Sequence, residues 1–188
     1  MNAFARLGLP EKLALEPGLV EERIQKTSRS SHPDSGGDEG DFQEIRKAGE
    51  IVTTPALRIR AALELAGGAE LERGGIPGEV MDFFAPVASI LEEVAIFVTE
   101  RAKALSGLGK AVLDVKVPGL KRGLEELTAK LTELEDRLIS RFREFDERGW
   151  RECLDEMAET ARGLVFLRKW LGQLREANGK IFEALLGG

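Results

Sequence analysis

The only histidine of the chain falls in the tripeptide His32-Pro33-Asp34. It lies between an amphipathic stretch, Gly18 to Ser31, and a polar loop, Ser35-Gly36-Gly37-Asp38-Glu39-Gly40-Asp41. Pro33 fixes its own φ and Asp34 is able to bond its own backbone, so the tripeptide reads as a charged turn. A single imidazole cannot furnish a histidine metal cluster, and no glycine-rich phosphate loop follows a strand-like run. Asp38, Glu39 and Asp41 lie close together but lack the calcium-loop pattern with its terminal bidentate glutamate, and read as a solvated acidic loop. The lone cysteine, Cys153, excludes an intrachain disulfide and a cysteine-rich zinc site. It falls on the apolar side of a helical pattern, as a small buried residue does. No pair of carboxylates is spaced as acid and base. The expectation is a protein that is not an enzyme and has no metal site and no cofactor.

The elements that must position the tripeptide are helical. The chain of 188 residues is 43% apolar and 32% charged and lacks tyrosine, which suits a soluble helical protein of one domain or two small ones. A net charge of −6 argues against nucleic acid and against an anionic membrane as partners, because the bulk field repels phosphate. No basic segment followed by an apolar run opens the sequence, and Glu11 and Glu16 arrive early. The longest uncharged apolar stretch, Phe83 to Leu91, is under half of the roughly 20 residues a bilayer span needs. A cytoplasmic protein is expected.

Along the chain, residues 2–8 predict a short helix with Phe4 and Leu7 inward. The Glu16-Pro17 step marks entry to a second helix, on which Val20, Ile24 and Thr27 share a face while Arg23, Lys26 and Arg29 lie on others. A third helix is expected from Asp41, as N-cap, to Leu65, with Pro55 kinking it or starting a new segment, and Ala66-Gly67-Gly68 ending it. Glu70 to Gly78, with Gly74-Gly75 and Pro77, reads as a linker. Three apolar stripes follow. The first is Val80, Phe83, Phe84, Val87, Leu91, Val94, Val98 and Leu105. The second, Leu120, Leu124, Leu127, Leu131, Leu134, Leu138, Phe142 and Phe145, is a sustained heptad seam. The third runs from Trp150 to about Leu186. Gly107 and Pro118-Gly119 bracket a break between the first two. Nothing alternates as a strand does, so the fold class expected is all-α, with an elongated antiparallel three-helix bundle at the C-terminal end.

Helix, His-Pro-Asp loop, helix resembles a J domain, the part of a co-chaperone that triggers ATP hydrolysis by a DnaK-type chaperone. Phe4-Ala5-Arg6-Leu7-Gly8-Leu9-Pro10 is similar to the entry of J proteins of the HscB type. Ile45-Arg46-Lys47-Ala48 and Thr54-Pro55-Ala56-Leu57-Arg58 are similar to that family's third helix. Gly163 to Leu171, preceded by Trp150, resembles a segment near its C-terminus. The likeness is close over about the first 65 residues, looser over the last 40 and poor between.

The resemblance implies an N-terminal three-helix J domain at 1–66, a linker at 67–77 and a client-binding bundle at 78–188. It implies that Asp34 meets an arginine of a DnaK/HscA-type chaperone, that Pro33 presets the loop and His32 orients it, and that Arg23, Lys26 and Arg29 face an acidic chaperone surface. In the HscB type the bundle holds the scaffold protein on which iron–sulfur clusters are built. The corresponding apolar candidates here are Phe83, Phe84 and Phe166, although Met81-Asp82-Phe83-Phe84-Ala85-Pro86-Val87 lacks the family's glutamates. Ser31, Ser35 and Thr27 also depart from the pattern. Two alternatives share these residues: a J-domain protein with another client, and a helical adaptor with a degenerate J domain.

Overall fold

A computed structural model describes residues 2–31, 38–72 and 74–186. Among these residues the regular elements are all helical and there is no strand. The all-α class expected from the apolar periodicities is therefore the observed one.

Helix α1 (Ala3–Arg6) is capped by the Asn2 side chain, which accepts from the Ala5 N–H at 3.1 Å. Helix α2 (Pro17–Ser30) begins at a proline, whose missing N–H costs nothing in the first turn. Helix α3 (Glu39–Thr53) starts three residues earlier than a cap at Asp41 would place it. Its cap is Asp38, whose extended backbone aims the carboxylate at the Gly40 and Asp41 N–H groups, 2.9 and 3.2 Å away. Asp41, relieved of capping, pairs with Arg6 at 2.5 Å. Pro55 starts a new helix instead of kinking the old one. Thr54 is extended at ψ 111, and α4 (Pro55–Ala66) runs from there to a left-handed Gly67 at φ 87.

Beyond a 3-10 turn at Ala69–Glu72 come α5 (Gly78–Met81), α6 (Phe84–Lys103), α7 (Gly107–Asp114), α8 (Val117–Ser140) and α9 (Phe142–Arg148). A second 3-10 turn, Trp150–Glu152, leads into the long α10 (Leu154–Leu186). Where a break was expected near Gly107, the chain forms α7. Ser106 accounts for it, because its hydroxyl accepts from the Gly109 N–H at 3.0 Å and caps a helix that the glycines alone would not start.

The contacts divide the chain into two compact units, Met1–Gly75 with Leu138–Leu164, and Ile76–Arg137 with Val165–Gly188. The segment 78–188 is thus shared between the units, with Leu138–Leu164 grouped with the N-terminal helices.

In the first unit, Ala3, Phe4, Leu7 and Leu9 pack with Val20 of α2 and with Ile45, Ala48 and Val52 of α3 in one buried cluster. Trp150 borders it, its ring 6.0 Å from that of Phe4. The inward positions expected for α1, Phe4 and Leu7, are both buried. Cys153 is buried as expected, and that burial pushes its thiol pKa up.

In the second unit, Leu120, Leu124, Leu127, Leu131 and Leu134 of α8 are buried, together with Val87, Val94 and Phe97 of α6 and Leu167, Trp170, Leu174 and Ile181 of α10. Gly123 brings α8 close to α6: a Cβ there would lie 3.0 Å from the Ile90 side chain. The heptad seam continues as buried Leu138, Phe142 and Phe145 in the first unit. Two members of the first stripe depart from it, since Phe84 is 53% exposed and Leu105 103%. Phe84 opens α6 and Leu105 lies between α6 and α7, where neither has a helix turn on both sides to enclose it.

Candidate functional sites

His32, Pro33 and Asp34 lie outside the described residues. What the structure gives is the pair of helices on either side. Helix α2 packs on α3 at Gly49, where an added Cβ would touch the Ile24 side chain at 3.6 Å. Val20 and Ile24 face that contact. Thr27, on the same face, is half-buried and donates its hydroxyl to the Arg23 carbonyl at 2.8 Å, which satisfies a polar group on the inward side of the helix. Ser30 repeats the device, donating to the Thr27 carbonyl at 2.9 Å.

The three basic residues of α2 are not equivalent. Lys26 and Arg29 are exposed. Arg23 is half-buried, and its Nη1 lies 3.8 Å from the place of a Cβ at Gly8, whose φ is 63. The Arg23 Nε is buried without a hydrogen-bond partner. The guanidinium of Arg23 therefore lies against the turn after α1, which leaves Lys26 and Arg29 as the charges best placed for an outside surface.

The apolar candidates divide in a similar way. Phe84 and Phe166 converge on Trp170. The ring of Phe84 stands edge-on to it at 6.3 Å, and that of Phe166 is tilted at 5.7 Å. Trp170 is buried, while Met81, Phe84 and Val165 are 51%, 53% and 41% exposed, so part of this aromatic group faces solvent. Phe83 is half-buried at the N-cap of α6. Trp170, Met81 and Val165 are not among the candidates drawn from the sequence, although they lie in the segments that carry the resemblance. The i,i+4 relation of Phe166 and Trp170 was the available signal.

A third constellation was also missed. The Asp146 carboxylate of α9 accepts from the Leu13 and Ala14 N–H groups at 2.9 and 2.8 Å, and from the Trp150 indole at 2.8 Å. Arg58 of α4 donates to the Leu13 carbonyl at 2.9 Å and lies 5.6 Å from the centre of the Phe142 ring. Burial lowers the Arg58 pKa from its ordinary value, and the nearby Asp146 charge opposes that shift. Arg148 bridges Glu144 and Glu156 at 3.0 and 2.6 Å, and its hydrogen bond holds the Glu156 carboxyl below the usual range. Asp146 and Arg58 fix the connection between α1 and α2, and Arg148 ties α9 to α10.

Among the described residues no cluster of histidine, cysteine, aspartate or glutamate could hold a metal ion, and no helix is long and apolar enough to cross a membrane. No protein-family model matches the chain, and no curated protein matches it.

Proposed function

We propose that the chain is a J-domain co-chaperone. It stimulates a DnaK/HscA-type ATPase through His32-Pro33-Asp34 and presents a client on the helices that follow. The observation that carries this reading is the position of the tripeptide in the connection between α2 and α3, two amphipathic helices that share one core with α1. Such a protein needs no catalytic group. It binds the chaperone better in the conformation that hydrolyses ATP, and that difference in affinity is the whole of its effect.

The direct experiment is single-turnover ATP hydrolysis by the general and the specialised DnaK-type chaperones of the source organism, with and without this protein. Acceleration of either supports the reading. Acceleration of neither favours the helical adaptor. Lys26 and Arg29 give a graded version. Replacing both by glutamate should weaken chaperone binding several-fold at low salt and much less at high salt, because exposed charges steer association and are screened within about 10 Å at 0.1 M. Arg23→Ala should show little salt dependence, since that side chain packs against Gly8.

The client surface in this reading is the group Phe84, Phe166 and Trp170. The partly exposed rings of Phe84 and Phe166, set against the buried Trp170, are suited to an apolar anchor on a partner, of which the iron–sulfur scaffold protein is the one the HscB resemblance implies. Phe84→Ser should lower client capture at least tenfold and leave ATPase stimulation intact, because Phe84 is more than half exposed and lies outside the first unit. Retained capture of the scaffold protein by the Phe84→Ser variant would remove this surface from the proposal.

A further inference from the structure

Helix α7 is amphipathic in the reverse sense. Its covered side carries Gly109, Lys110, Leu113 and Asp114, all half-buried, while Leu108 and Val112 are 77% and 64% exposed. Val115, just beyond the helix on the same face, is 79% exposed, and Leu105, just before it, is 103%. Four apolar side chains within eleven consecutive positions therefore stand in solvent, where an ordinary surface helix turns its polar residues outward.

The orientation is held from behind. Arg101 of α6 is 7% exposed, donates its Nε to Asp114 Oδ1 at 2.7 Å and a second nitrogen to Oδ2 at 3.3 Å, and also donates to the Ala184 carbonyl of α10. A two-pronged guanidinium–carboxylate pair fixes geometry as well as charge. With Asp114 turned toward α6, the face carrying Leu108, Val112 and Val115 must turn outward.

Charge sets this region apart from the rest of the chain. Residues 101–122 hold six basic side chains and one acidic one, in a protein of net charge −6. Lys103 and Lys116 are exposed, Lys116 lying 3.2 Å from Glu100. The whole-chain balance, which argues against an anionic membrane, does not govern a local contact, because its field is screened over about 10 Å at 0.1 M salt.

We propose that α7 and its flanks dock on an anionic lipid surface, with Leu105, Leu108, Val112 and Val115 entering the headgroup boundary and the neighbouring lysines meeting the phosphates. Side chains exposed to this degree protrude and do not line a groove, so they suit a deformable plane better than a partner helix. Leucine and valine beside lysine match interfacial helices, whereas protein interfaces favour aromatic residues and arginine and are depleted in lysine. Two copies meeting through this patch would bring like charges together. The proposal stands apart from the co-chaperone reading.

The test uses the full chain and sedimentation with vesicles of phosphatidylcholine alone or with about 30% phosphatidylglycerol. The wild type should sediment with the anionic vesicles, far less with the neutral ones, and less again at high salt. The double variant Leu108→Asp, Val112→Asp should lose at least tenfold in apparent affinity with unchanged helical content, since both side chains already stand in solvent. Lys103→Glu, which leaves the apolar stripe intact, should also weaken binding. A wild type that stays in the supernatant overturns the proposal, as does a double variant that binds equally well. A concentration-dependent dimer that the double variant abolishes, without vesicle binding, also overturns it and assigns the stripe to a second copy.

Discussion

Asp34→Asn is expected to lower stimulation of the chaperone ATPase tenfold or more while leaving the helical content of the protein unchanged. The substitution keeps the size and planar shape of the side chain and removes its charge. In the co-chaperone reading that charge meets a chaperone arginine, and a charge-assisted pair at a partner interface contributes a few kcal/mol. Each loss of about 1.4 kcal/mol in the complex that leads to hydrolysis is a factor of ten in rate. The fold should tolerate the change. The core of α1, α2 and α3 is made by Phe4, Leu7, Val20, Ile45 and Val52, and Asp38 caps α3. Circular dichroism and a urea transition matching the wild type provide the control. If the variant stimulates as well as the wild type, Asp34 does not carry the coupling, and the adaptor reading gains.

How much of this was legible in the sequence depended on whether each signal was local or long-range. The seam from Leu120 to Phe145 could be read because a heptad repeat reports burial wherever a helix has partners along its length, and all eight residues are buried. The same rule misplaced Phe84 and Leu105, since periodicity continues to the end of a stripe while the enclosing neighbours do not. The sequence places the cap of α3 three residues late, because Asp38 and Asp41 are chemically equivalent as caps. The choice rests on backbone angles and on Arg6, thirty-five positions from Asp41. Gly107 and Pro118-Gly119 read as the bounds of a break, and α7 forms there because Ser106 supplies a cap. The convergence of Phe84 and Phe166 on Trp170 joins α6 to α10, and no local pattern reports such a pairing.

The largest stability effect is expected at Asp146, a residue with no signal in the sequence. Its carboxylate accepts from Leu13 N, Ala14 N and Trp150 Nε1, and two of these three contacts are partly buried. Hydrogen bonds to a charged group each contribute about 1.5–3 kcal/mol, and less where water competes, so Asp146→Ala should cost roughly 2–4 kcal/mol in total. Part of the loss would arise at Arg58. Its guanidinium is desolvated, already lowered in pKa by that burial, and would lose the charge that opposes the shift. Asp146→Asn should fall between wild type and alanine, because the amide oxygen still accepts while its NH2 faces donors. Urea unfolding measures the global effect. Hydrogen exchange at the Leu13 and Ala14 amides isolates the local one, and protection there should drop in both variants more than at Ile45 or Val52. Arg58→Lys gives an independent check. Lysine keeps the charge but loses the planar group that donates to the Leu13 carbonyl and lies over Phe142, so it should destabilise by about 1–2 kcal/mol. Wild-type stability in Asp146→Ala would mean that the buried Leu13 side chain and the Arg58 hydrogen bond hold the α1–α2 connection without it. Protection lost at Leu13 and Ala14 together with a lower urea midpoint would establish that this carboxylate ties α9 to the segment from which α2, and the His-Pro-Asp connection after it, extends.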